Sequence, residues 1–266
     1  MDTILVLDAG NTRLKWGIAE RHGWTSFGSV SNDRIGALRI TQWKKLPRPN
    51  RVVGANVSGE AGRSRIETQI AHWHIKAEWL SVTQEACGVK NNYHVPRALG
   101  VDRWAALIAI RQRQLAQTDA PLPYLIVTSG TTITVNALTA DGVFLGGAIL
   151  PGVSSMRYVL STNTSALTLN LPVGSYHEYP LSTEDAIYSG SVDAIVGMIR
   201  AWRERLAVSH ELSAHEIPVV ITGGDSDFLM PYLPEPKQII AHLVLEGVLK
   251  LALPEWANTA QNFSES

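Results

Sequence analysis

The first half of the chain alternates short apolar runs with polar turns and amphipathic stretches. A run of apolar residues bounded by turn residues predicts a buried strand, and apolar residues three to four positions apart predict a helix. On this basis we expect strands at 3–7, 13–19, 24–30, 51–58 and 75–80, and helices at 33–46 and 61–73. Strands that alternate with helices are typical of an α/β layer in which helices pack on a mixed sheet.

The second half repeats this order of elements. After an irregular segment at 84–101 and an amphipathic helix that begins at Asp102, three more strands follow in succession. The predicted elements are strands at 124–127, 133–138, 143–150 and 218–222, and helices at 152–161, 184–206 and 241–253. Because three strands joined by tight turns open both halves, we predict two duplicated α/β domains, one at 1–117 and one at 118–266.

The turn after the first strand carries candidate phosphate chemistry. Asp8 ends a buried strand, and Mg²⁺ is typically bound by one or two carboxylates together with phosphate oxygens. Gly10 allows backbone amides to approach a phosphate. Asn11 and Thr12 add neutral donors, and Lys15 adds a positive charge. The alternative is an ordinary hairpin in which these residues only make the turn.

Two further polar turns follow predicted strands, at 128–132 and at 223–225. A nucleotide held by turns from both halves fits this pattern, because glycines after a strand let the backbone approach a base or its sugar. The chain has neither Gly-x-x-x-x-Gly-Lys-[Ser/Thr] nor Gly-x-Gly-x-x-Gly, which disfavours the P-loop and dinucleotide-binding folds. For Gly223 and Gly224 a plain strand-to-helix turn stays open as the alternative.

The segment Gly100-Val101-Asp102-Arg103 is the candidate reaction centre. In phosphoryl transfer the protein mainly positions groups and balances charge, and an Asp accepts the proton of the attacking hydroxyl. Asp102 is the candidate for that role, and Arg103 for binding an anionic substrate or the developing phosphoryl charge. Gly100 would permit close approach of the substrate. An Asp at a helix start is equally suited to capping, and the two roles are compatible.

Composition narrows the classes of function. With 45% apolar and 18% charged residues in 266, the chain predicts a globular core rather than disorder. The net charge of −1 gives no basic excess that would mark nucleic acid as a partner. No apolar run approaches the roughly 20 residues that cross a bilayer, and the N-terminus lacks the order of a signal peptide. Since Cys87 is the only cysteine, no internal disulfide is possible, and we expect a cytoplasmic protein.

Taken together, these motifs resemble those of the type III pantothenate kinases, the family that includes the Bvg accessory factor. The resemblance covers nearly the whole chain, and its motifs keep the order and spacing of that family. The matched segments are residues 8–17, Tyr93, 100–103, 130–131, 146–147, 151–152, 182–190 and 223–225. Each motif alone is weak, whereas their joint order is specific.

The resemblance implies an acetate-kinase/actin-like architecture of two duplicated ribonuclease-H-like domains with ATP in the cleft. It implies ATP-dependent phosphorylation of the terminal hydroxyl of pantothenate to phosphopantothenate, the first step of coenzyme A biosynthesis. It also implies Mg²⁺, a monovalent cation that is K⁺ or NH₄⁺, and a homodimer with shared active sites in which the loop of Thr183 reaches the partner's site.

The same resemblance implies a role for each matched position. Asp102 is implied to be the general base, and Asp8 to organise Mg²⁺. The residues implied to bind ATP and its phosphates are Asp8, Ala9, Gly10, Asn11, Thr12, Arg13, Leu14, Lys15, Thr131, Thr132, Gly223 and Gly224. Those implied to contact pantothenate are Tyr93, Gly100, Val101, Asp102, Arg103 and Thr183.

One position departs from the family pattern. Many members have an Asp, linked to the monovalent cation, where this chain has Thr128. Thr128 has no charge, although its hydroxyl and nearby carbonyls still offer oxygen ligands to K⁺. The departure keeps open a second hypothesis, a non-catalytic ATP-binding regulatory or accessory protein of the same fold. A third is a kinase of this architecture that acts on a sugar or a short acid.

Overall fold

The computed structural model describes residues 3–117, 120–163 and 173–254. Within these residues the chain separates into two compact units. The first unit comprises 3–117 together with 242–254, and the second comprises 120–163 together with 173–241. Both units are built from strands of a mixed sheet flanked by helices, which confirms the predicted α/β class.

The sheet of the first unit is built around a strand that is buried along its whole length. Its strands are β1 (Ile4–Ala9), β2 (Arg13–Glu20), β3 (Gly23–Ser31), β4 (Arg51–Asn56) and β5 (Ala77–Trp79). Their order is β3-β2-β1-β4-β5, with β2 antiparallel to β1 and β3, and β4 parallel to β1 and β5. β1 lies in the middle, and every one of its residues is buried, as expected for a strand covered on both faces.

The segment predicted as one helix at 33–46 differs in type. It forms two 3-10 helices, Asn32–Ile40 and Gln42–Lys45, which meet at Thr41. Ile35 and Leu38 are both buried and lie three residues apart, which matches the three-residue turn of a 3-10 helix. The prediction of a continuous helix was therefore wrong, although the segment does place apolar side chains in the core.

The irregular segment predicted at 84–101 contains a short hairpin. After α1 (Gly59–Ile70), strands β6 (Glu85–Ala86) and β7 (Val89–Asn91) pair antiparallel. The next helix, α2 (Val101–Gln117), holds the hairpin turn through its side chains. Gln112 Nε2 donates to the carbonyl of Cys87 at 2.8 Å, and Arg111 Nε donates to the carbonyl of Gly88 at 3.2 Å.

The second unit repeats the strand arrangement of the first. Its elements are β8 (Tyr124–Ser129), β9 (Thr132–Leu138), β10 (Val143–Pro151), α3 (Val153–Asn163), α4 (Thr183–Ser209), β11 (Val219–Thr222), α5 (Ser226–Leu229) and β12 (Lys237–Ile239). The order β12-β11-β8-β9-β10 has β9 antiparallel to both neighbours and β11 parallel to both neighbours. Strands β8 to β12 therefore correspond one by one to β1 to β5, which confirms the predicted duplication.

The last helix, α6 (Leu243–Ala252), packs in the first unit, whereas we expected residues 118–266 to form one domain. α6 lies against α2, and the contact is close because Gly247 has no side chain where it faces the carbonyl of Ala105. Beside it, Arg113 and Glu246 form a bidentate ion pair with N–O distances of 2.7 to 3.0 Å. The order of elements along the chain could not indicate this, because it does not fix the unit on which a helix packs.

None of the helices within the described ranges combines the length and the apolar character required of a membrane span.

Substituting Gly247→Ala tests the packing of α6 on α2. The added methyl group would overlap the carbonyl oxygen of Ala105, so the helices must separate. We expect the free energy of unfolding to fall by about 2 kcal/mol, the usual cost of overpacking, in a urea titration followed by circular dichroism.

The matched control is Gly197→Ala in α4, where an added methyl group meets no neighbour within 4 Å. Because Ala has the higher helix propensity, this variant should be more stable by up to about 1 kcal/mol. Equal stability of the Gly247→Ala variant and the wild type would contradict the close packing described for α6.

Candidate functional site

The first unit forms the predicted polar turn between β1 and β2. Asp8 and Lys15 are direct neighbours across the two strands, and the amide of Gly10 donates to the carbonyl of Arg13 at 3.0 Å. Ala9 and Leu14 are buried in the core, so they contribute backbone rather than side chains to the turn. Three side chains lie exposed at its tip, those of Asn11, Thr12 and Arg13. The turn thus presents polar groups outward while its two ends are anchored in the sheet.

Asp8 is buried without compensation by hydrogen bonds. Its side chain is 8% exposed, and no group in the described residues donates a hydrogen bond to it. Burial raises its pKa to about 6, because desolvation disfavours the charged form. The charge of Lys15 lowers the pKa, and the nearby charge of Asp102 raises it again. A cation beside Asp8 would supply the compensation that the protein does not.

The Asp102 carboxylate lies at the start of α2, as predicted, and one of its oxygens is engaged locally. Oδ1 accepts a hydrogen bond from the backbone amide of Arg103 at 2.8 Å. A Cβ on Gly100 would lie 2.5 Å from this oxygen, so only glycine leaves room for this position of the carboxylate. Within the described residues no donor is bound to Oδ2. Oδ1 thus satisfies a backbone amide of the first helical turn, which leaves Oδ2 for the predicted catalytic role.

The side chain of Arg103 is buried and held by Tyr93. Nη1 of Arg103 donates to the hydroxyl of Tyr93 at 2.9 Å, and its guanidinium carbon lies 5.7 Å from the centre of the tyrosine ring. Tyr93 is held in turn by Asn91, whose Oδ1 accepts from the amide of Tyr93 at 3.1 Å. Asn91 is fully buried, and its amide group also donates to the carbonyl of Pro96 at 3.2 Å. These contacts order the segment before α2 and fix the position of the Arg103 guanidinium.

In the second unit, Thr128 lies in a row of threonines. It is the direct neighbour of Thr134 on β9 and of Thr222 on β11, so all three hydroxyls lie on one face of the sheet. Thr134 also accepts a hydrogen bond from Asn136 Nδ2 at 3.3 Å. The row carries no carboxylate, and its oxygen atoms are neutral.

The following turn is tied to the start of α3. The carbonyl of Thr131 accepts from the amide of Gly152 at 2.9 Å and from the hydroxyl of Ser155 at 2.8 Å. Thr131 and Thr132 are both exposed. A turn therefore lies where the second phosphate turn was predicted, and the carbonyl of Thr131 is occupied by donors from Gly152 and from the first turn of α3.

Gly223 and Gly224 follow β11, as predicted, and Gly223 requires a backbone that other residues rarely adopt. Its φ is +116°, and a Cβ would overlap the carbonyl of Ser129 at the end of β8. The amide of Asp225 donates to that same carbonyl at 3.3 Å. Gly224 is exposed, and no atom lies within 4 Å of where its Cβ would be. The turn is thus a plain strand-to-helix turn that also leaves an open backbone surface.

Thr183 is the first residue of α4 and is exposed. Ser182 caps the helix by accepting from the amide of Asp185 at 3.2 Å. The Asp185 carboxylate binds the amide of Ser175 at 2.8 Å and the hydroxyl of Ser182 at 2.8 Å, and these bonds lower its pKa. The backbone at Ser175 is therefore fixed to the start of α4, beside Thr183.

The first unit brings together Asp8, Lys15 and Asp102, and separately Arg103 with Tyr93. The sequence interpretation missed two asparagines that position these groups, Asn91 behind Tyr93 and Asn32 behind the turn at 10–13. Both lie at the ends of short elements, where an asparagine is an ordinary turn residue, so only the long-range contacts distinguish them. In the described residues no three or more His, Cys, Asp or Glu side chains are arranged to hold a metal.

Solved structures show the same fold at low sequence identity. A Baf-family protein from Campylobacter jejuni superposes with a TM-score of 0.57 at 19% identity, covering 94% of this chain and 98% of its own. The Lmo2764 protein from Listeria monocytogenes is named as an N-acetylmannosamine kinase. It superposes with a TM-score of 0.51 at 14% identity, covering 95% of this chain and 99% of its own. The chain therefore shares its overall fold with these two proteins.

Comparison of sequences identifies the family. The sequence model described as type III pantothenate kinase matches residues 4–205. The type III pantothenate kinase of Paracidovorax citrulli is 37% identical over 256 residues, covering 94% of this chain and 98% of that protein. The protein of the same name from Acidovorax ebreus is 35% identical over 259 residues, covering 96% of this chain and 98% of that protein. This chain therefore belongs to the type III pantothenate kinase family.

Proposed function

We propose that the protein transfers the γ-phosphate of ATP to the terminal hydroxyl of pantothenate, the first step of coenzyme A biosynthesis. The observation that carries this proposal is the placement of the Asp102 carboxylate near Asp8 and Lys15 in the first unit. A proton acceptor, a candidate cation ligand and a positive charge are the groups that phosphoryl transfer to an alcohol requires.

Asp102 acts as the general base through Oδ2. With Oδ1 bound to the amide of Arg103, the second oxygen is directed to the substrate hydroxyl and takes its proton as the new P–O bond forms. The guanidinium of Arg103, oriented by Tyr93, binds the pantothenate carboxylate by a charge-assisted hydrogen bond. Gly100, Val101 and Thr183 complete the proposed pantothenate site.

The turn at 8–15 binds the ATP phosphates, with Lys15 as the point charge and Asn11 and Thr12 as neutral donors. The Asp8 carboxylate fits Mg²⁺, because it is buried, has a raised pKa and accepts no hydrogen bond from the described residues. Magnesium bound there with ATP would neutralise charge on the phosphates. Since Mg²⁺ usually needs only one or two carboxylates beside phosphate oxygens, a larger cluster of acids is not required.

In the second unit, Thr131 and Thr132 bind phosphate, and the turn at Gly223 and Gly224 contacts the adenosine, to which Gly224 offers open backbone. A monovalent cation, K⁺ or NH₄⁺, is proposed at Thr128. Its row of threonine hydroxyls supplies neutral oxygens that suit K⁺, but no charge. The residues fit a weak cation site, and we expect K⁺ to stimulate the reaction without being strictly required.

We further propose a cytoplasmic homodimer. Apolar side chains on α3 are exposed, with 61% of Tyr158 and 50% of Val159 accessible to solvent, and they supply a surface that a second copy would cover. The single cysteine fits a reducing compartment. The accessory-protein alternative receives no support from the relatives, and the chain keeps Asp8, Lys15, Asp102 and Arg103, on which the proposed catalysis depends.

Replacing Asp102 with Asn tests the general base. The variant keeps the size and the acceptor oxygen for the amide of Arg103 but cannot take a proton, so kcat should fall by about 10² to 10⁴-fold. The measurement is a coupled ADP-release assay with ATP, Mg²⁺ and pantothenate.

The control is Glu60→Gln, which removes an acid from the first turn of α1 and should leave kcat unchanged. A folded Asp102→Asn variant with wild-type kcat would exclude Asp102 as the base. Wild-type protein that binds ATP without pantothenate-dependent turnover would favour the accessory-protein hypothesis or another hydroxyl substrate.

Asp8→Asn should lose kinase activity yet stabilise the ligand-free fold at neutral pH. The folded pKa of Asp8 is raised from 3.8 to about 6, so wild-type stability falls as pH rises through this window and the carboxylate must ionise inside the protein. The full penalty corresponds to about 3 kcal/mol. The free energy of unfolding of both proteins is measured by urea titration between pH 4 and pH 8. The stability of the variant relative to the wild type should increase with pH, and a constant difference between the two proteins would contradict the cost of burying the ionised Asp8.

Thr128→Asp should strengthen the dependence on K⁺. The substitution adds a negative charge to the row that includes Thr134 and Thr222, and so converts a neutral oxygen site into one that attracts a cation. Turnover is measured with K⁺ and with Na⁺ in its place. We expect the ratio of the two rates to rise above that of the wild type, and an unchanged ratio would place the cation elsewhere.

A further inference from the structure

One residue outside the phosphate turn, Asn32, binds three successive carbonyls of that turn, two through its side chain and one through its backbone amide. Asn32, directly after β3, donates from Nδ2 to the carbonyl of Gly10 at 3.0 Å and to that of Asn11 at 2.8 Å. Its backbone amide donates to the carbonyl of Thr12 at 3.0 Å. Since the turn is exposed at its tip, these contacts add to the Gly10–Arg13 hydrogen bond in ordering it.

Holding the carbonyls on one side orients the amides to the other. In a planar trans peptide the N–H and the C=O point in opposite directions. With the carbonyls of Gly10 and Asn11 turned to Asn32, the amides of Asn11 and Thr12 are directed away from it. Neighbouring amides turned to one side form a concave group of donors that binds anions.

We propose that Asn32 is a positioning residue for the ATP phosphates, which it does not need to touch. It keeps the peptide groups at 10–12 oriented so that their N–H groups face the nucleotide. This inference rests on the proposed function only in taking ATP as the nucleotide. It adds to the proposed site a residue that lies on another element and far from the motif in sequence.

The chemistry of the side chain limits which residue can act here. Both partners of Nδ2 are carbonyl oxygens, so the position needs a neutral group with two donor hydrogens. Oδ1 of Asn32 has no partner among the described residues, which means that the donor end alone makes the contacts. An aspartate would place negative charge against two carbonyls, and an alanine would leave both without a donor.

Asn50 provides a matched control at the opposite end of β1. Its side-chain Oδ1 accepts a hydrogen bond from the backbone amide of Thr3 at 2.7 Å, and its backbone amide donates to the carbonyl of Thr3 at 2.7 Å. Asn50 thus fixes the start of the strand whose far end leads into the phosphate turn. Alanine at either position removes an asparagine that is hydrogen-bonded next to one end of β1. Of the two asparagines, Asn32 is the one that contacts the turn.

The experiment compares Asn32→Ala and Asn50→Ala with the wild type. Equilibrium binding of Mg²⁺ with a non-hydrolysable ATP analogue is measured by calorimetry, and the KM values for ATP and pantothenate by ADP release. For Asn32→Ala we expect the Kd of the analogue and the KM for ATP to rise about tenfold, from the loss of two ordering hydrogen bonds. The KM for pantothenate should not change, and Asn50→Ala should keep wild-type values throughout. Asn32→Ser, which retains one donor, should fall between the wild type and the alanine variant.

Three outcomes would overturn the inference: unchanged nucleotide affinity in Asn32→Ala, equal weakening in both alanine variants, or parallel rises in both KM values. Absence of analogue binding by the wild type would overturn it as well. If the wild type binds the analogue more tightly than Asn32→Ala but does not phosphorylate pantothenate, the proposed function fails and the role of Asn32 stands.

Discussion

The burial of one carboxylate is the constraint around which the first unit is arranged. Asp8 is the penultimate residue of a strand that is buried at every position, and the described residues provide it with a cross-strand lysine but no hydrogen-bond donor. A buried charge without donors is costly, and its raised pKa expresses that cost. Selection for stability alone would remove such a group. Its presence is understandable if a cation and a nucleotide complete the site.

The same constraint explains how the neighbouring groups are held. Asp102 lies near enough to raise the pKa of Asp8, so the two carboxylates repel each other in the absence of ligand. The backbone amide of Arg103 fixes one Asp102 oxygen, and the absence of a side chain at Gly100 leaves space for it. The backbone therefore holds the Asp102 carboxylate in a defined position, although its repulsion with Asp8 is unfavourable in the free protein.

The two units share a strand order but divide the chemistry between them. In the first, the turn after the leading strand carries Asp8 and Lys15; in the second, the corresponding region carries threonines and glycines. In the proposed mechanism the first unit therefore supplies the charged groups. The second supplies neutral hydroxyls and, at Gly223, a backbone that approaches the neighbouring strand without a side chain between them. The two units therefore share a strand order but differ in the charged side chains that follow their leading strands.

The sequence by itself determined the strand pattern, the duplication and the position of each polar turn. These features depend on local alternation of apolar and polar residues and on turn chemistry, which the chain carries within each short segment. For the same reason Asp8 and Asp102 could be identified as candidates, because each lies at the end of a predicted element.

Only the tertiary structure decided the rest. It assigned α6 to the first unit, replaced the helix predicted at 33–46 by two 3-10 helices, and placed Asn32 behind the turn at 10–13. Each of these depends on partners that are distant in sequence: α6 on the carbonyl of Ala105, and Asn32 on carbonyls more than twenty residues earlier. Local pattern carries no information about such pairs, because they form only when separate elements pack together.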